Sequence, residues 1–306
     1  MNIILDYLLL FAIAIYSFLE SFVKLFIPVK GKSVSGNIVL ITGAGHGMGR
    51  LTAYEFAKRQ SILVLWDINK QGVEETAEEC RQLGAIAHAF VVDCSNRCKI
   101  YSAAEKVKKE IGDVDILINN AGVIFGAELL QLHDHQIETT FDVNILAHFW
   151  TAKSFLPAMM KKNRGHIVTV ASIAGHVGLC YLVDYCASKF GAVGFHECLT
   201  AELEALGKNG IKTSCLCPVF VNTGFVQNPS TRLWPVLKPE DVVTHLIDGI
   251  LTNKKMIIVP TSVKYSLLLQ KFLPERVIAK LNKMQEVEFY TPLRTKKECS
   301  EKQKTF

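Results

Sequence analysis

Between Asn37 and Pro260 this chain alternates two kinds of segment, and that alternation leaves few folds open. Short branched or aliphatic runs (NIVLIT, SILVLWD, AIAHAFVVD, DILINNAG, GHIVTVAS, IKTSCLCP, MIIVP) are separated by longer stretches such as NKQGVEETAEECRQLG and IYSAAEKVKKEIG, whose apolar positions recur every three to four residues. The first kind fits strands buried on both faces, and the second fits helices with one apolar side. Strands joined through helices run parallel, and a parallel sheet needs helices over both of its faces. The predicted fold class is therefore α/β, a doubly wound parallel sheet in a single domain. A chain of 306 residues with 49% apolar composition can bury a core of that size.

The first strand run is followed at once by GAGHGMGR and then by the helical pattern LTAYEFAKRQ. Strand, glycine turn and helix together open a dinucleotide-binding βαβ unit of the Rossmann type. Gly43 would carry the backbone through the tight turn, Gly47 would let it approach a pyrophosphate, and Gly49 would allow close packing of helix on strand. Amide groups at the helix start then bind phosphate oxygens. Three glycines in a loop are a weak signal by themselves. The second run ends in Asp67, twenty-four residues after Gly43. A carboxylate there accepts hydrogen bonds from both ribose hydroxyls of an adenosine and repels a 2′-phosphate, which favours NAD over NADP. The alternative is a solvated aspartate at a strand end. Asp93 ends the third run, where an adenine ring would lie. Asn119, Asn120, Ala121 and Gly122 end the fourth at the same edge, and ligands of such sheets bind outside the carboxyl ends of the strands.

A candidate reaction centre lies in SIAGHVGLCYLVDYCASK. Tyr185 and Lys189 are four apart, so on a helix they share one face. A free phenol titrates near ~10, leaving about one in a thousand ionised at neutral pH. A neighbouring ammonium favours the charged form and makes Tyr185 a candidate general acid or base. Ser172, thirteen residues upstream, is a candidate hydrogen-bond donor to a substrate oxygen. Tyr-x-x-x-Lys pairs also arise by chance, so this trio gains its weight from the glycine turn at the other end. His176 near Ser172 raises serine hydrolysis as a rival, but no G-x-S-x-G elbow surrounds the serine.

Taken in order, TGAGHGMG (Thr42 to Gly49), NNAG (Asn119 to Gly122), Asn144 in FDVNILAHF, Ser172, and YCASK (Tyr185 to Lys189) resemble the motif set of the short-chain dehydrogenase/reductase family, with matching spacing over residues 36 to 260. The runs LVLWDIN, GHIVTVAS and SCLCPVFVNTGF and the apolar N-terminus are similar to the membrane- and lipid-droplet-associated 17-beta-hydroxysteroid dehydrogenases of types 11 and 13, type 13 being the nearer. The resemblance implies a role for each matching position. Tyr185 is the catalytic acid/base, Lys189 lowers its pKa and binds the nicotinamide ribose, Ser172 orients the substrate oxygen, and Asn144 holds a water that continues the proton relay. Gly43, Gly47, Met48, Gly49, Asp67, Asp93, Asn120, Ala121 and Gly122 belong to the NAD site, with Pro218 and Thr223 at the nicotinamide end. Two residues depart from the family pattern: Met48 replaces a branched aliphatic, a volume-conserving change, and Val219 stands where many relatives have glycine. The resemblance further implies a lipophilic alcohol as substrate (steroid, retinoid or oxidised fatty-acid derivative), a homodimer, and residence on lipid droplets and the cytoplasmic face of the endoplasmic reticulum membrane. The reading from another class is a lipid-surface scaffold whose NAD site is structural or sensory.

Outside this region the sequence predicts a hydrophobic anchor over residues 1–28, a basic linker over 29–35, and a catalytic domain over 36–262 with a substrate lid at 224–241 carrying Phe225, Leu233 and Trp234. The lid side chains fit surface packing equally. The uncharged run Tyr7 to Leu19 is thirteen residues, only ~20 Å as a helix against a hydrocarbon core of ~30 Å. That shortfall favours monotopic insertion in one leaflet over a simple transmembrane pass. No basic residue precedes the run and no A-x-A-like site follows it, which disfavours a secretory signal. Residues 263–290 interleave apolar and basic side chains and read as an amphipathic helical region for membrane, core or partner, and 291–306 read as a disordered tail. The formal charge of +5 lies mostly near the termini and does not call for nucleic acid. Nine cysteines at irregular spacing suggest free thiols in a reducing compartment, with Cys215 and Cys217 sharing one face of a buried strand. His133 and His135 flank Asp134 in a polar connection without a second ligand cluster, so no metal site is predicted.

Overall fold

The computed structural model describes residues 3–23, 30–225, 227–230, 232, 234–284 and 288–290. Two units divide the chain, Met1–Ser33 and Val34–Phe306. In the first, helix α1 (Ile3–Val23) has 21 residues and is therefore about 31 Å long. It extends past the uncharged run at both ends, with Asp6 in the first turn, where a carboxylate complements the helix dipole. Ile3–Glu20 is long and apolar enough to cross a membrane, and none of that window is buried. The helix is thus longer than the uncharged run from Tyr7 to Leu19, and it carries Glu20 near its end.

In the second unit, β1 (Ile38–Thr42), α2 (Gly47–Ala57), β2 (Ile62–Asp67), α3 (Lys70–Gln82), β3 (Ile86–Val91), α4 (Arg97–Glu110) and β4 (Ile116–Asn119) alternate as the sequence pattern requires. Next come α5 (Asp134–Phe141), a π-helical turn at Asp142–Leu146, α6 (Ala147–Lys162), β5 (Gly165–Val170), α7 (Val183–Ala205) and β6 (Ile211–Pro218). The remaining elements are β7 (Gln227–Ser230), α8 (Pro239–Leu251), β8 (Met256–Val259), α9 (Ser262–Gln270), α10 (Glu275–Met284) and β9 (Glu288–Tyr290). Side-chain caps mark two of the starts: Asn69 accepts from the Gly72 amide ahead of α3, and Asn96 from the Lys99 amide ahead of α4.

Seven parallel strands form the main sheet in the order β3-β2-β1-β4-β5-β6-β8. Successive strand residues face opposite ways, so each strand serves two cores. Val39 and Ile41 of β1 pack with Phe56 of α2, Val73 of α3 and Val242 of α8 on one face. Leu40, between them, packs with Trp66, Ile100 of α4 and Phe155 of α6 on the other. The strand order reverses between β1 and β4, and the crevice at their carboxyl ends is where such a sheet takes its ligand.

One expectation changes. Residues 288–290 form a strand, not part of the amphipathic helical region, and β9 pairs antiparallel with β7 inside the expected lid. The lid is also fastened at its base, where the Asn222 amide donates to Leu237 O and the Leu237 amide to Phe220 O. Leu233, part of the basic linker (residue 29) and the tail 291–306 lie outside the described residues.

Candidate active site

The crevice begins at the turn after β1. Gly43 adopts φ +66°, and a Cβ there would stand 2.9 Å from the Ala121 Cα. At Gly49 a Cβ would stand 2.0 Å from the Gly43 carbonyl oxygen. Glycine is required at both positions, at Gly43 because the segment after β4 lies against the turn and at Gly49 because helix α2 presses on it. Thr42 locks this turn to β4: its Oγ1 accepts from the Asn120 and Ala121 amides, each at 3.0 Å. Asn120 Nδ2 returns hydrogen bonds to the carbonyls of Thr42 (2.9 Å) and Gly43 (3.1 Å). Asp67, at the end of β2, accepts from the Gly45 amide through Oδ2 and from the Asn69 amide through Oδ1, both at 2.8 Å. Two bonded carboxylate oxygens still leave lone pairs for further donors.

The opposite wall comes from β5, β6 and α7. Ser172 follows β5 in extended conformation, and its Oγ accepts from the Ala174 amide at 3.1 Å. Burial holds the Tyr185 phenol above its ordinary value, and Ser172 beside it draws the pKa the other way. Lys189 is buried, and its Nζ donates to the Val170 carbonyl at 2.9 Å while standing 5.6 Å from the Tyr185 ring centroid. Burial pushes Lys189 down to about 8, opposed by Cys215 and Cys217. A buried ammonium must find an acceptor, and Lys189 turns to a backbone carbonyl beside the ring.

One cleft of about 250 Å³, partly open to solvent, joins the two walls. Gly43, Gly47, Met48, Gly49, Asp67, Asn120, Ala121, Gly122, Ser172, Tyr185, Lys189, Pro218 and Thr223 all line it, and so does Val219. Gly47 and Thr223 face each other closely, since a Cβ on Gly47 would lie 3.3 Å from the Thr223 Cβ. Phe225 closes over the tyrosine with ring centroids 6.4 Å apart.

Two expected site residues do not line this cleft. Asp93 turns to its own loop, with Oδ1 accepting from the Ser95 amide (3.0 Å) and hydroxyl (2.6 Å) and Oδ2 facing Lys99 at 3.3 Å. These donors hold its carboxyl below the usual range against the opposing effect of burial. Asn144 is fully buried in the π-helical turn, where Oδ1 accepts from the Val123 amide (2.8 Å) and Nδ2 donates to Val123 O (3.0 Å) and Ser188 Oγ (3.1 Å). Ser188 Oγ in turn donates to the Tyr185 carbonyl at 2.7 Å. The Asn144 side chain therefore positions the segment after β4 and the tyrosine turn.

Sequence reasoning missed Thr42, whose only signal was a polar residue ending an apolar strand. It also missed the apolar wall of Ile124, Leu179, Leu182 and Phe220 around Tyr185, because these residues sit in connections without periodicity. Among the described residues, every cysteine is a free thiol and no group of three or more His, Cys, Asp and Glu is arranged to hold a metal ion. The Cys215 and Cys217 sulfurs lie 3.7 Å apart on one buried face of β6.

The residues at the glycine turn fit a dinucleotide. His46, the N-cap of α2, gives no side-chain cap, so the first amides of that helix keep no side-chain acceptor, and Gly47, Met48 and Gly49 line the cleft there. A family model described as short chain dehydrogenase matches residues 37–233. Over 289 residues the chain is 68% identical to 17-beta-hydroxysteroid dehydrogenase 13 of Homo sapiens, covering 94% of this chain and 96% of that protein. It is 64% identical to estradiol 17-beta-dehydrogenase 11 of Pongo abelii over the same length, again covering 94% and 96%. A solved short chain dehydrogenase/reductase from Burkholderia phymatum in complex with NAD superposes with TM-score 0.72 at 26% identity, covering 79% of this chain and 95% of that one. Agreement of sheet order, glycine turn and these likenesses along most of its length makes this chain a member of the short-chain dehydrogenase/reductase family.

Proposed function

We propose that this oxidoreductase uses NAD to interconvert a lipophilic alcohol and its carbonyl, with a steroid, a retinoid or an oxidised fatty-acid derivative as the substrate class. The observation that carries the reading is Ser172, Tyr185 and Lys189 lining one cleft whose far end is a glycine turn backed by a carboxylate. Bound nicotinamide would supply the acceptor for the carbon-bound hydrogen and its electron pair. Gly43, Gly47, Met48, Gly49, Asp67, Asn120, Ala121 and Gly122 would hold the adenosine and phosphate half, and Pro218, Thr223 and Lys189 the nicotinamide half. Asp67 supports NAD over NADP, because its carboxylate repels a 2′-phosphate.

Tyr185 would take the alcohol proton in oxidation and return it in reduction. Ser172 would steady the same oxygen with its hydroxyl. Ile124, Leu179, Leu182 and Phe220 surround the phenol with apolar surface, which supports a lipophilic substrate and keeps bulk water off the reacting oxygen. The apolar helix α1 supports a lipid-droplet or endoplasmic reticulum surface as the site of action, and exposed Phe149 on α6 and Phe190 on α7 support a homodimer.

Purified full-length protein incubated with NAD and a panel of lipophilic alcohols, followed by NADH absorbance, tests the reading. Tyr185→Phe should remove turnover and leave NAD binding within about twofold. Turnover surviving that change would end the proton-transfer role, and NAD binding without turnover of any alcohol would favour the scaffold reading.

A further inference from the structure

Helix α9 has two apolar sides with different fates. Val263 and Leu267 pack inward with Ile173, Val219 and Ile258, and Ile173 and Val219 also line the cleft. On the other side Tyr265, Leu268, Leu269 and Phe272 follow at i, i+3, i+4 and i+7 and are 69%, 57%, 60% and 79% exposed. That spacing forms one stripe along the helix and the turn that ends it. Val277 and Met284 of α10 are exposed as well. Between Ser262 and Met284 the sequence holds Lys264, Lys271, Arg276, Lys280 and Lys283 against Glu275 alone, and Lys264, Lys271, Arg276 and Lys280 are exposed. A contiguous apolar stripe bordered by cations marks a contact surface.

The charge decides among occupants. A second copy of the same face would set one cluster of cations against another, which disfavours pairing. An anionic phospholipid surface takes apolar side chains below its headgroups while lysine and arginine reach the phosphates. We infer that α9 and α10 form a lipid-docking face that lays Tyr265, Leu268, Leu269 and Phe272 into an anionic phospholipid surface. The inference rests on the lipid-surface reading above and adds a contact made by the catalytic unit itself, independent of α1. Since α9 is one layer behind the cleft wall, docking would set the apolar cavity beside the phase that dissolves a lipophilic substrate.

The test places a tryptophan at the stripe in the full-length chain, Phe272→Trp, reconstituted with phosphatidylcholine vesicles with and without phosphatidylserine, some carrying brominated acyl chains. Emission in excess of the unmutated protein should shift to the blue and be quenched by the bromine atoms, more strongly with phosphatidylserine. Reversing Lys271 and Lys280 to glutamate should reduce the docked fraction on the order of tenfold or more, while the chain still sediments with the vesicles through α1. Sedimentation with the vesicles while the introduced indole stays fully open to acrylamide would overturn the inference and leave the lipid-surface reading standing. Concentration-dependent shielding of that indole without lipid would overturn it in favour of a second copy. Failure to sediment with either vesicle would overturn both readings.

Discussion

Lys189→Met separates what the site needs from what the fold prefers. The lysine is 3% exposed, and burial takes its pKa from an ordinary 10.5 to about 8. Keeping the ammonium charged at pH 7 therefore costs the folded state roughly 3 kcal/mol, at ~1.4 kcal/mol per unit. Methionine fills a similar volume without charge. It removes that cost but leaves the Val170 carbonyl without its 2.9 Å donor, a loss of about 1–2 kcal/mol. The variant should therefore be more stable than the unmutated protein at pH 7, by roughly 1–2 kcal/mol, while oxidoreductase turnover is lost.

The pH dependence distinguishes this origin from better packing. Between about 8 and 10.5 the unfolded chain holds the Lys189 proton and the folded chain does not. Stability of the unmutated protein from this group is thus fullest above 10.5 and is lost as pH falls toward about 8. Methionine has no such dependence, so the variant's advantage should shrink by about 1.3 kcal/mol from pH 7 to pH 9. Urea unfolding of both detergent-solubilised proteins at the two pH values measures it. A variant less stable at pH 7, or a difference equal at both pH values, would refute the claim that a charged amine is buried here at a cost.

Asp67→Ser should weaken NAD binding and narrow its preference over NADP, while costing about 1–2 kcal/mol as the Gly45 and Asn69 amides lose a charged acceptor; paired cofactor titrations check the first effect and unfolding midpoints the second. Gly49→Ala should destabilise by about 3 kcal/mol or more, because its methyl would meet the backbone of Gly43, and an unchanged thermal midpoint would contradict that contact. Turnover in the oxidising direction should fall as pH rises past about 8, where Lys189 loses its charge. A rate that continues to climb well beyond that value would show the charge to be unnecessary.

The sheet was legible because each strand run and each helix carries its own period, and seven parallel strands need no information beyond it. The glycine turn was legible for a related reason: Gly43 and Gly49 are positions where any side chain would collide, so sequence and geometry coincide. For Asp93 the strand end was legible as an edge of the sheet, but not the direction of its side chain. Ser95 and Lys99, two and six residues on, capture the carboxylate locally. Asn144 fits its motif, yet the motif does not say that Val123 and Ser188 already occupy its amide. The apolar wall at Leu179, Leu182 and Phe220 depends on how three connections meet, and no local pattern encodes that.

Tyr185 and Lys189 show the same limit in their electrostatics. A spacing of four puts an ammonium and a phenol one turn apart, and the natural deduction is that the cation eases ionisation of the phenol. Folding buries both groups, and burial disfavours the charged form of each, raising the phenol and lowering the amine. Since the amine stays above 7 even after its shift, neutrality of Tyr185 and charge on Lys189 coexist at neutral pH. In the proposed reaction a neutral Tyr185 would donate its proton in reduction without prior ionisation. Oxidation would ask the same phenol to release its proton first, so the two directions would place unequal demands on this tyrosine, and the residue that draws its pKa down, Ser172, is one that helical spacing does not reveal.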